Sequence, residues 1–312
     1  TSTEIIERRK MYLALALAII QALAISIYLP LQTNLDPLLV ICLNTMIMVA
    51  GTFFLVWLSD LNAALGLGNS FVIIMAGMIL YLPEDIMGIL SKINIPLIWY
   101  ISGLGFVLVF VYTAVLMEYA RYRIPVNKIG IHNNLQSYTF LDLKLNPAGG
   151  MPFMYAMTLV SIPQYILLLV LYLDPNASWA VQLSKKIVLG EPLWILLYIL
   201  MICFLSFAFA FINVNGEEVA DKMMKNSEYI DSVYPGPETR KYINGAVLRL
   251  TAFGTFYLFL FTTLPFLILL WDKELLRLAM IPGTFLMFIG MISNIREEIR
   301  ALQVNQRYTK IF

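Results

Sequence analysis

The side chains that could perform chemistry are few in this sequence, and they lie far apart. His132 is the single histidine and sits in a polar stretch, which indicates a solvated ring rather than a ligand or a base. Cys42 and Cys203, the two cysteines, fall in apolar segments, as buried thiols do, and their spacing suits neither a metal nor a disulfide framework. The adjacent carboxylates Glu84 and Asp85 follow a proline and indicate a solvated turn. These observations predict no enzyme, no metal and no cofactor.

Uncharged polar residues in apolar surroundings form a second group. Gln21 lies midway along one apolar stretch, and Thr158, Ser161 and Gln164 follow at intervals of three along another. That interval places the last three on one slowly drifting face of a helix. Such groups ordinarily hydrogen-bond to a neighbouring helix, for about 0.6 kcal/mol per contact. The alternative is a face that is intermittently hydrated or touches a passing polymer, and the residues alone leave both readings open.

The elements that position these residues are membrane spans. The 312 residues are 60% hydrophobic and only 13% charged, whereas a soluble domain carries about 25% charge. Eight uncharged windows hold at least 18 residues each, and a span needs roughly 20. They are residues 11–35, 37–59, 61–83, 93–117, 145–173, 192–216, 250–271 and 278–295. The predicted fold class is therefore all-α, a polytopic membrane bundle of eight transmembrane helices.

The basic residues predict the orientation of these spans. If Thr1 lies in the cytosol, 16 of the 21 lysines and arginines fall in cytosolic segments. The positive-inside rule then predicts a multi-pass protein of the plasma membrane with both ends of the chain in the cytosol. The net charge of +1 gives no indication of a nucleic-acid partner. Ion-coupled transporters usually need ionisable residues at membrane depth, and the windows contain none.

Two cytosolic segments, 118–146 and 214–243, are long enough to suggest a function. Within the second, EEVADKMMKN has the spacing of a short amphipathic helix, and Pro235-Gly236-Pro237 predicts a turn. The predicted organisation follows from these segments. It comprises four spans in 1–117, a loop at 118–146, two spans in 147–213, a loop at 214–243, two spans in 244–295 and a tail at 296–312.

Six collinear segments resemble signatures of one family. They read RRKMYLALALAIIQALAISIYLP, WLSDLNAALGLGNSFVIIMAG, MEYARYRIPV, LKLNPAGGMP, FINVNGEEVADKMMKNSEYI and VYPGPETRKYINGAVLRLTAFG. Together they are similar to SecY, the channel subunit of the bacterial preprotein translocase, over essentially the whole chain. The family has ten spans, and the eight here resemble its third to tenth.

Two departures from the housekeeping pattern favour one branch of that family. The loop after RIPV reads NKIGIHNNLQSY, with little charge, and Tyr234 stands where housekeeping members tend to carry an arginine. These features resemble the accessory SecY of Gram-positive bacteria. That resemblance implies work with a dedicated accessory SecA in the export of serine-rich glycosylated adhesins.

The resemblance also implies roles for individual residues. An apolar pore constriction would include Ile74, Met78, Met154 and Phe288. A lateral gate for signal sequences would include Gln21, Thr158, Ser161 and Gln164. Docking of a motor or a ribosome would use the two long loops, with Arg121, Arg123, Lys222, Lys225, Tyr234, Arg240 and Lys241 as candidate contacts, or these cations would bind phospholipid headgroups.

The implied partners are a SecA-type motor ATPase, a small SecE-like membrane subunit, other accessory Sec proteins, the signal sequence and unfolded preprotein, and membrane lipid. The chain has no nucleotide-binding motif, so energy would come from the motor. Two alternatives remain, a secondary transporter of a small solute and an intramembrane lipid-modifying enzyme.

The start of the fifth window, LNPAGGMP, contains residues that form helices poorly. We expect Pro147 to occupy a first helical turn, where its missing N–H is no loss. Gly149 and Gly150 are expected to allow close approach by neighbouring helices. Pro152 is expected to loosen the first turns, so that the span can pivot.

Overall fold

The computed structural model describes residues 3–29, 36–92, 97–128, 139–267 and 276–309. His132 and most of the weakly charged segment 127–138 lie outside the described residues.

Helices form in all eight apolar windows. The helices are α1 (Thr3–Tyr28), α2 (Pro37–Leu65), α3 (Asn69–Lys92), α4 (Leu97–Tyr119), α5 (Met151–Leu173), α6 (Ser178–Lys186), α7 (Pro192–Asn213), α8 (Gly216–Lys225), α9 (Pro237–Leu258), α10 (Leu264–Leu267) and α11 (Leu276–Thr309). A π-helical segment, Phe259–Thr263, joins α9 to α10. Within the described residues, six helical stretches are long and apolar enough to cross a membrane. The shorter apolar segments Phe71–Glu84 and Val107–Tyr119 belong to α3 and α4. The predicted all-α membrane bundle is confirmed.

Three helices extend beyond the predicted limits. Helix α3 continues through Pro83 and Glu84, where a turn was expected. Helix α9 already begins at Pro237, well before its apolar window at 250, because Gly236 adopts a φ of 107° that turns the chain and Pro237 suits the first helical position. Helix α11 runs through the predicted boundary at 296 to Thr309. The apolar window therefore marks only the part of each helix that lipid requires to be uncharged.

The chain divides into two compact units. The first comprises Thr1–Leu80, Thr158–Trp194 and Glu297–Phe312, and the second comprises Tyr81–Met157 and Ile195–Arg296. In the first unit, the hairpin of α1 and α2 is joined by polar contacts. Ser26 Oγ accepts hydrogen bonds from Asn44 Nδ2 at 3.1 Å and from Thr45 Oγ1 at 3.3 Å.

A second contact in this unit joins parts of the chain that are far apart in sequence. The backbone N–H of Gly68 donates to Glu298 Oε2 at 2.9 Å, just before α3 begins at Asn69. A carboxylate near a helix N-terminus interacts favourably with the helix dipole. The contact therefore ties the C-terminal part of α11 to the turn between α2 and α3.

In the second unit, short strands join the two long cytosolic loops. Strand β1 (Arg121–Pro125) pairs antiparallel with β3 (Phe140–Lys144). Strand β2 (Asn127–Lys128) pairs with β4 (Glu228–Tyr229), so the first loop is hydrogen-bonded to the second. The sequence predicts no strand in either loop and gives no sign that the two loops pair.

A common apolar core lies beneath these strands. It is formed by β-branched and aliphatic residues of both loops, together with the ends of α7 and α9 that adjoin them. The buried members are Ile124, Val126, Leu143, Ala148, Ala210, Met223, Ile230, Ile243, Ala246, Val247 and Leu250. We call β1 to β4, α8 and the first half of α9 the strand module. The predicted amphipathic helix, α8, is confirmed, and Met223 is its most deeply embedded long side chain.

Candidate functional site

The stretch before α5 is a turn rather than the start of the helix. Asn146 Nδ2 donates to the carbonyl of Gly149 at 3.1 Å, and Asn213 Nδ2 donates to the carbonyl of Pro147 at 2.9 Å. Gly149 has a φ of +65°, which an L side chain rarely adopts. The helix then begins at Met151, so the expectation that Pro147 occupies a first helical turn is wrong.

Pro152 therefore sits in the first turn of α5. At that position the missing N–H has no helical partner to lose, so Pro152 does not loosen the helix. The proline that interrupts the ladder of hydrogen bonds is Pro163, in the interior of α5. The expected pivot at Pro152 stays a prediction, which this position does not support, and the missing backbone hydrogen bond within the helix lies at Pro163, between Ser161 and Gln164.

Close helix approach in this region depends on three glycines. A Cβ on Gly150 would lie 3.2 Å from the carbonyl oxygen of Leu286 in α11, so the expectation for Gly150 is confirmed. Gly149 has no atom within 4 Å of such a position and serves the turn instead. A Cβ on Gly254 of α9 would lie 2.6 Å from Asn146 Oδ1, and one on Gly283 of α11 would overlap the ring of Phe153.

Phe153 belongs to a buried series of aromatic rings. Its ring meets Tyr198 of α7 edge-on at 6.4 Å between centroids, and Tyr198 meets Phe266 at 5.2 Å. Sequence reasoning selected Met154 and missed its neighbour Phe153. The signal that could have found this contact is Gly283, an interior helical glycine that costs about 1 kcal/mol unless packing requires it.

The predicted constriction residues are distributed over both units. Ile74 and Met78 lie one turn apart on α3 in the first unit, and both are half-buried. Met154 on α5 and Phe288 on α11 lie in the second unit and are also half-buried. Each is an apolar side chain that remains partly accessible. Their grouping into one ring stays a prediction.

The predicted gate residues all lie in the first unit. Thr158 is exposed, while Gln21, Ser161 and Gln164 are half-buried. Helices α1 and α5 are in contact near Leu168, whose carbonyl accepts a hydrogen bond of 3.4 Å from Tyr28 Oη. The structure thus brings together the two helices that carry the predicted gate, and the role of the residues remains a prediction.

Two of the candidate docking arginines lie on β1. Arg123 is exposed, with its Nε 3.4 Å from Asp142 Oδ1 and its guanidinium 4.4 Å from the centre of the Phe140 ring. Arg121, opposite Lys144 in the strand register, is half-buried. Both contacts of Arg123 come from β3, so the hairpin fixes the direction of this cation.

The other candidates lie on the second loop. In α8, Lys222 Nζ lies 2.7 Å from Glu218 Oε1, and through this hydrogen bond and its charge it lowers the pKa of Glu218. Arg240 Nη1 lies 3.2 Å from Glu217 Oε2, across the junction of α8 and α9. Tyr234 is 76% exposed at the tip of the turn.

The turn that presents Tyr234 is held at its base. The carbonyl of Tyr234 accepts a hydrogen bond of 2.9 Å from Thr239 Oγ1, and Thr239 is buried. Lys225 and Lys241 are exposed on either side of this turn. The candidate contacts of the second loop therefore all lie in the strand module and are exposed.

A small polar cavity lies at the base of α5, with room for about one water molecule. Glu118, Asn146, Gly150 and Tyr257 are among the residues that line it. Asn146 Oδ1 and Tyr257 Oη are buried there without a protein hydrogen-bond partner. Lys144 Nζ lies 3.6 Å from Glu118 Oε1. Sequence reasoning missed this cluster because its members come from distant segments.

The family of this chain follows from its similarity to known proteins. A family model described as SecY matches residues 2–296. The chain belongs to the SecY family. This SecY chain is 49% identical over 310 residues to the accessory Sec system protein translocase subunit SecY2 of Streptococcus sanguinis (strain SK36). The alignment covers 99% of this chain and 76% of that relative. It is 47% identical over 308 residues to the subunit of the same description from Streptococcus pneumoniae serotype 4 (strain ATCC BAA-334 / TIGR4), with the same two coverages.

Solved structures show the same fold at much lower identity. One, described as the structure of a protein conducting channel, aligns with a TM-score of 0.66 and 15% identity, covering 97% of this chain and 76% of its own. Another, of a SecY protein with a plug domain, aligns with a TM-score of 0.59 and 16% identity, covering 97% and 77%. This SecY chain therefore spans about three quarters of the relatives and structures that it matches.

These similarities confirm the family prediction and its accessory branch. The SecY family consists of multi-pass membrane proteins and is not a catalytic family, so neither alternative, transporter or lipid-modifying enzyme, is favoured.

Proposed function

We propose that this SecY chain is the protein-conducting channel subunit of an accessory Sec preprotein translocase in the plasma membrane. The observation that carries the proposal is the match to accessory SecY2 subunits over almost the whole chain, at 46–49% identity to six streptococcal subunits and 29% to a seventh. The cargo would be unfolded secretory proteins, and the serine-rich glycosylated adhesins are the class that we propose. Both ends of the chain would face the cytosol, because most of its cations then lie there.

The neck of the channel would be apolar. Ile74, Met78, Met154 and Phe288 lie on three apolar helices and are half-buried, so part of each side chain remains available to a pore. A narrow apolar neck dewets and blocks ions. The flexible methionines also adapt to chains of different sequence.

The lateral gate would open between α1 and α5. The contact between Tyr28 and Leu168 is a single exposed hydrogen bond of 3.4 Å, which is weak enough to break during opening. Pro163 removes one backbone hydrogen bond in the middle of α5, beside Ser161 and Gln164. A signal sequence would enter this seam because burial of its apolar side chains in lipid is favourable, while Thr158 and Gln21 lower the cost of brief hydration.

A gate of this kind has a direct test. We expect Thr158→Leu to change the signal-sequence hydrophobicity that is needed for export, measured with a series of signals of graded leucine content. Leu196→Ala, at a position 53% exposed on α7, is the matched control. An unchanged threshold in Thr158→Leu would remove Thr158 from the gate.

Motor docking would use the strand module. Its shared apolar core packs the two loops together, and Arg123, Tyr234 and Arg240 are exposed on the module. A rigid surface loses less conformational freedom on binding than two flexible loops would. The motor that we propose is a SecA-type ATPase of the accessory system, and a small SecE-like subunit would accompany the channel in the membrane.

The decisive experiment traps a preprotein during export. A photo-crosslinking amino acid at Met154 should react with a stalled preprotein, in the presence of the motor and ATP. The same group at Phe204, which is 70% exposed on α7, is the control and should react with lipid only. Crosslinking of the preprotein to Phe204 and not to Met154 would refute the proposed path. Uptake of a small solute without any motor would replace the proposal with a transporter.

A further inference from the structure

Helix α6 is held between the ends of two membrane spans by tight turns. Before it, the backbone N–H of Ala177 donates to the carbonyl of Asp174 at 3.3 Å, just after α5 ends at Leu173. After it, the N–H of Glu191 donates to the carbonyl of Val188 at 2.9 Å, just before α7 begins at Pro192. Spans end where the bilayer gives way to water, so connections this short keep α6 at the depth of the lipid headgroups.

One face of α6 is packed against protein. Ala180 is fully buried and Ile187, at its C-terminal cap, is 5% exposed. The side chain of Ser184, on the same face, is half-buried and donates to the carbonyl of Val181 at 3.0 Å. This face fixes the rotation of the helix and therefore decides which residues point away from the protein.

One flank of this buried face combines apolar and basic side chains. Trp179 is 59% exposed and Leu183 is 37% exposed, four residues apart and hence neighbours on the helix surface. Lys186, three residues after Leu183, lies on the same flank, whereas Lys185 lies on the far side of the helix. Both lysines are exposed, and the helix contains no acidic residue. At this depth, tryptophan is the residue type that prefers the boundary between lipid and water.

We propose that α6 is an interfacial helix that binds anionic phospholipid. Trp179 and Leu183 lie among the upper acyl carbons, and the ammonium group of Lys186 beside them extends to phosphate oxygens of the headgroups, with Lys185 adding positive charge on the water side. The long apolar stems of the lysines allow this extension. Lipid is the occupant that the structure favours, because the short turns keep the helix at the membrane surface and both charged residues of the helix are basic. A protein partner is the competing occupant.

The test places a reporter on each side of the helix. In the full protein with Cys42→Ser and Cys203→Ser, Leu183→Cys is labelled with the environment-sensitive fluorophore NBD, and Ser178→Cys, an exposed position on the polar flank, is the matched control. The protein is reconstituted in nanodiscs of phosphatidylcholine alone or with roughly one third phosphatidylglycerol, since anionic lipid attracts nearby cations. Quenching by headgroup-proximal nitroxide lipids reports contact with the bilayer.

We expect the Leu183→Cys reporter to shift to shorter wavelength and to be quenched, more strongly with phosphatidylglycerol, while the Ser178→Cys reporter changes little. Lys185→Gln with Lys186→Gln should abolish the extra quenching that phosphatidylglycerol causes. A reporter at 183 that stays in water overturns the proposal. A blue-shifted reporter that no lipid nitroxide quenches also overturns it and assigns the face to protein. If the lysines serve only the helix C-terminus, the double variant unfolds more easily and its lipid dependence is unchanged, which removes the anionic site.

Discussion

Replacement of Gly283 by alanine tests the helix packing beside the proposed neck. A Cβ at this position would lie 2.8 Å from Cδ2 of Phe153 and closer still to two other ring carbons. An ordinary contact needs at least 3.4 Å, so the ring must move by more than about 0.6 Å. Phe153 is 5% exposed and touches Tyr198, which leaves the ring little room to move.

The size of the effect follows from two opposing terms. Overpacking of a buried site costs about 1–3 kcal/mol, and alanine in place of glycine in a helix returns up to about 1 kcal/mol. With a buried ring as the obstacle, we expect a net loss near 2 kcal/mol. For a chain of this size the apparent melting temperature should fall by roughly 3 °C. Reaction of Cys203 with a fluorogenic maleimide during heating, in a Cys42→Ser background, measures this temperature.

Two further variants test whether the ring of Phe153 causes the loss of stability in Gly283→Ala. Gly245→Ala in α9 is the matched control, because a Cβ there meets no atom within 4 Å and should leave stability unchanged or raise it. Phe153→Leu should lower stability alone by about 1–2 kcal/mol and should cancel most of the cost of Gly283→Ala in the double variant. Equal stability of the two alanine variants, or strict additivity in the double variant, would show that the ring of Phe153 is not the obstacle.

The remaining predictions concern gating, the neck and docking. Pro163→Ala should restore a backbone hydrogen bond within α5, where an interior proline costs about 3 kcal/mol, and should therefore shift the signal-sequence hydrophobicity needed for export. Pro152→Ala, in the first turn, should leave that threshold unchanged. A larger effect of Pro152→Ala than of Pro163→Ala would contradict the role given to Pro163. Met154→Ser should raise the ion conductance of the resting channel in planar bilayers, because a polar neck stays wet, and an unaltered conductance would count against Met154 in the neck. Arg240→Glu should weaken binding of the motor roughly two- to fivefold in a pull-down titration, as expected for one exposed charge contact. Glu217→Gln also breaks the ion pair between Arg240 and Glu217, but it keeps the cation and should therefore weaken binding less. Equal losses in both variants would mean that the ion pair, and not the cation, matters.

The region before α5 shows where prediction from local sequence fails. Gly149 and Gly150 are adjacent and chemically identical, yet one supplies a left-handed turn and the other a close helix contact. Nothing within the sequence LNPAGGMP separates these roles, because the contact partner, Leu286, lies far along the chain. The same holds for Pro152 and Pro163, whose effects depend on where the helix begins.

The strand module gives a second example. Strand β2 contributes only two residues, Asn127 and Lys128, and its partner β4 lies in the other cytosolic loop. So short a strand has no periodic pattern to detect. The amphipathic helix α8, in contrast, was predicted because its own apolar residues recur at helical spacing.

The sequence by itself determined the membrane spans, the family and the positions of the charged loops. The membrane spans can be read from local sequence because a segment in lipid must be uncharged and must satisfy its backbone hydrogen bonds within its own helix. Only the tertiary structure decided which glycines admit a neighbouring helix, which proline weakens α5, and that the two long loops share one core. Those features depend on contacts between residues far apart in the chain, such as Gly283 with Phe153 and Lys128 with Glu228, and no local pattern encodes them.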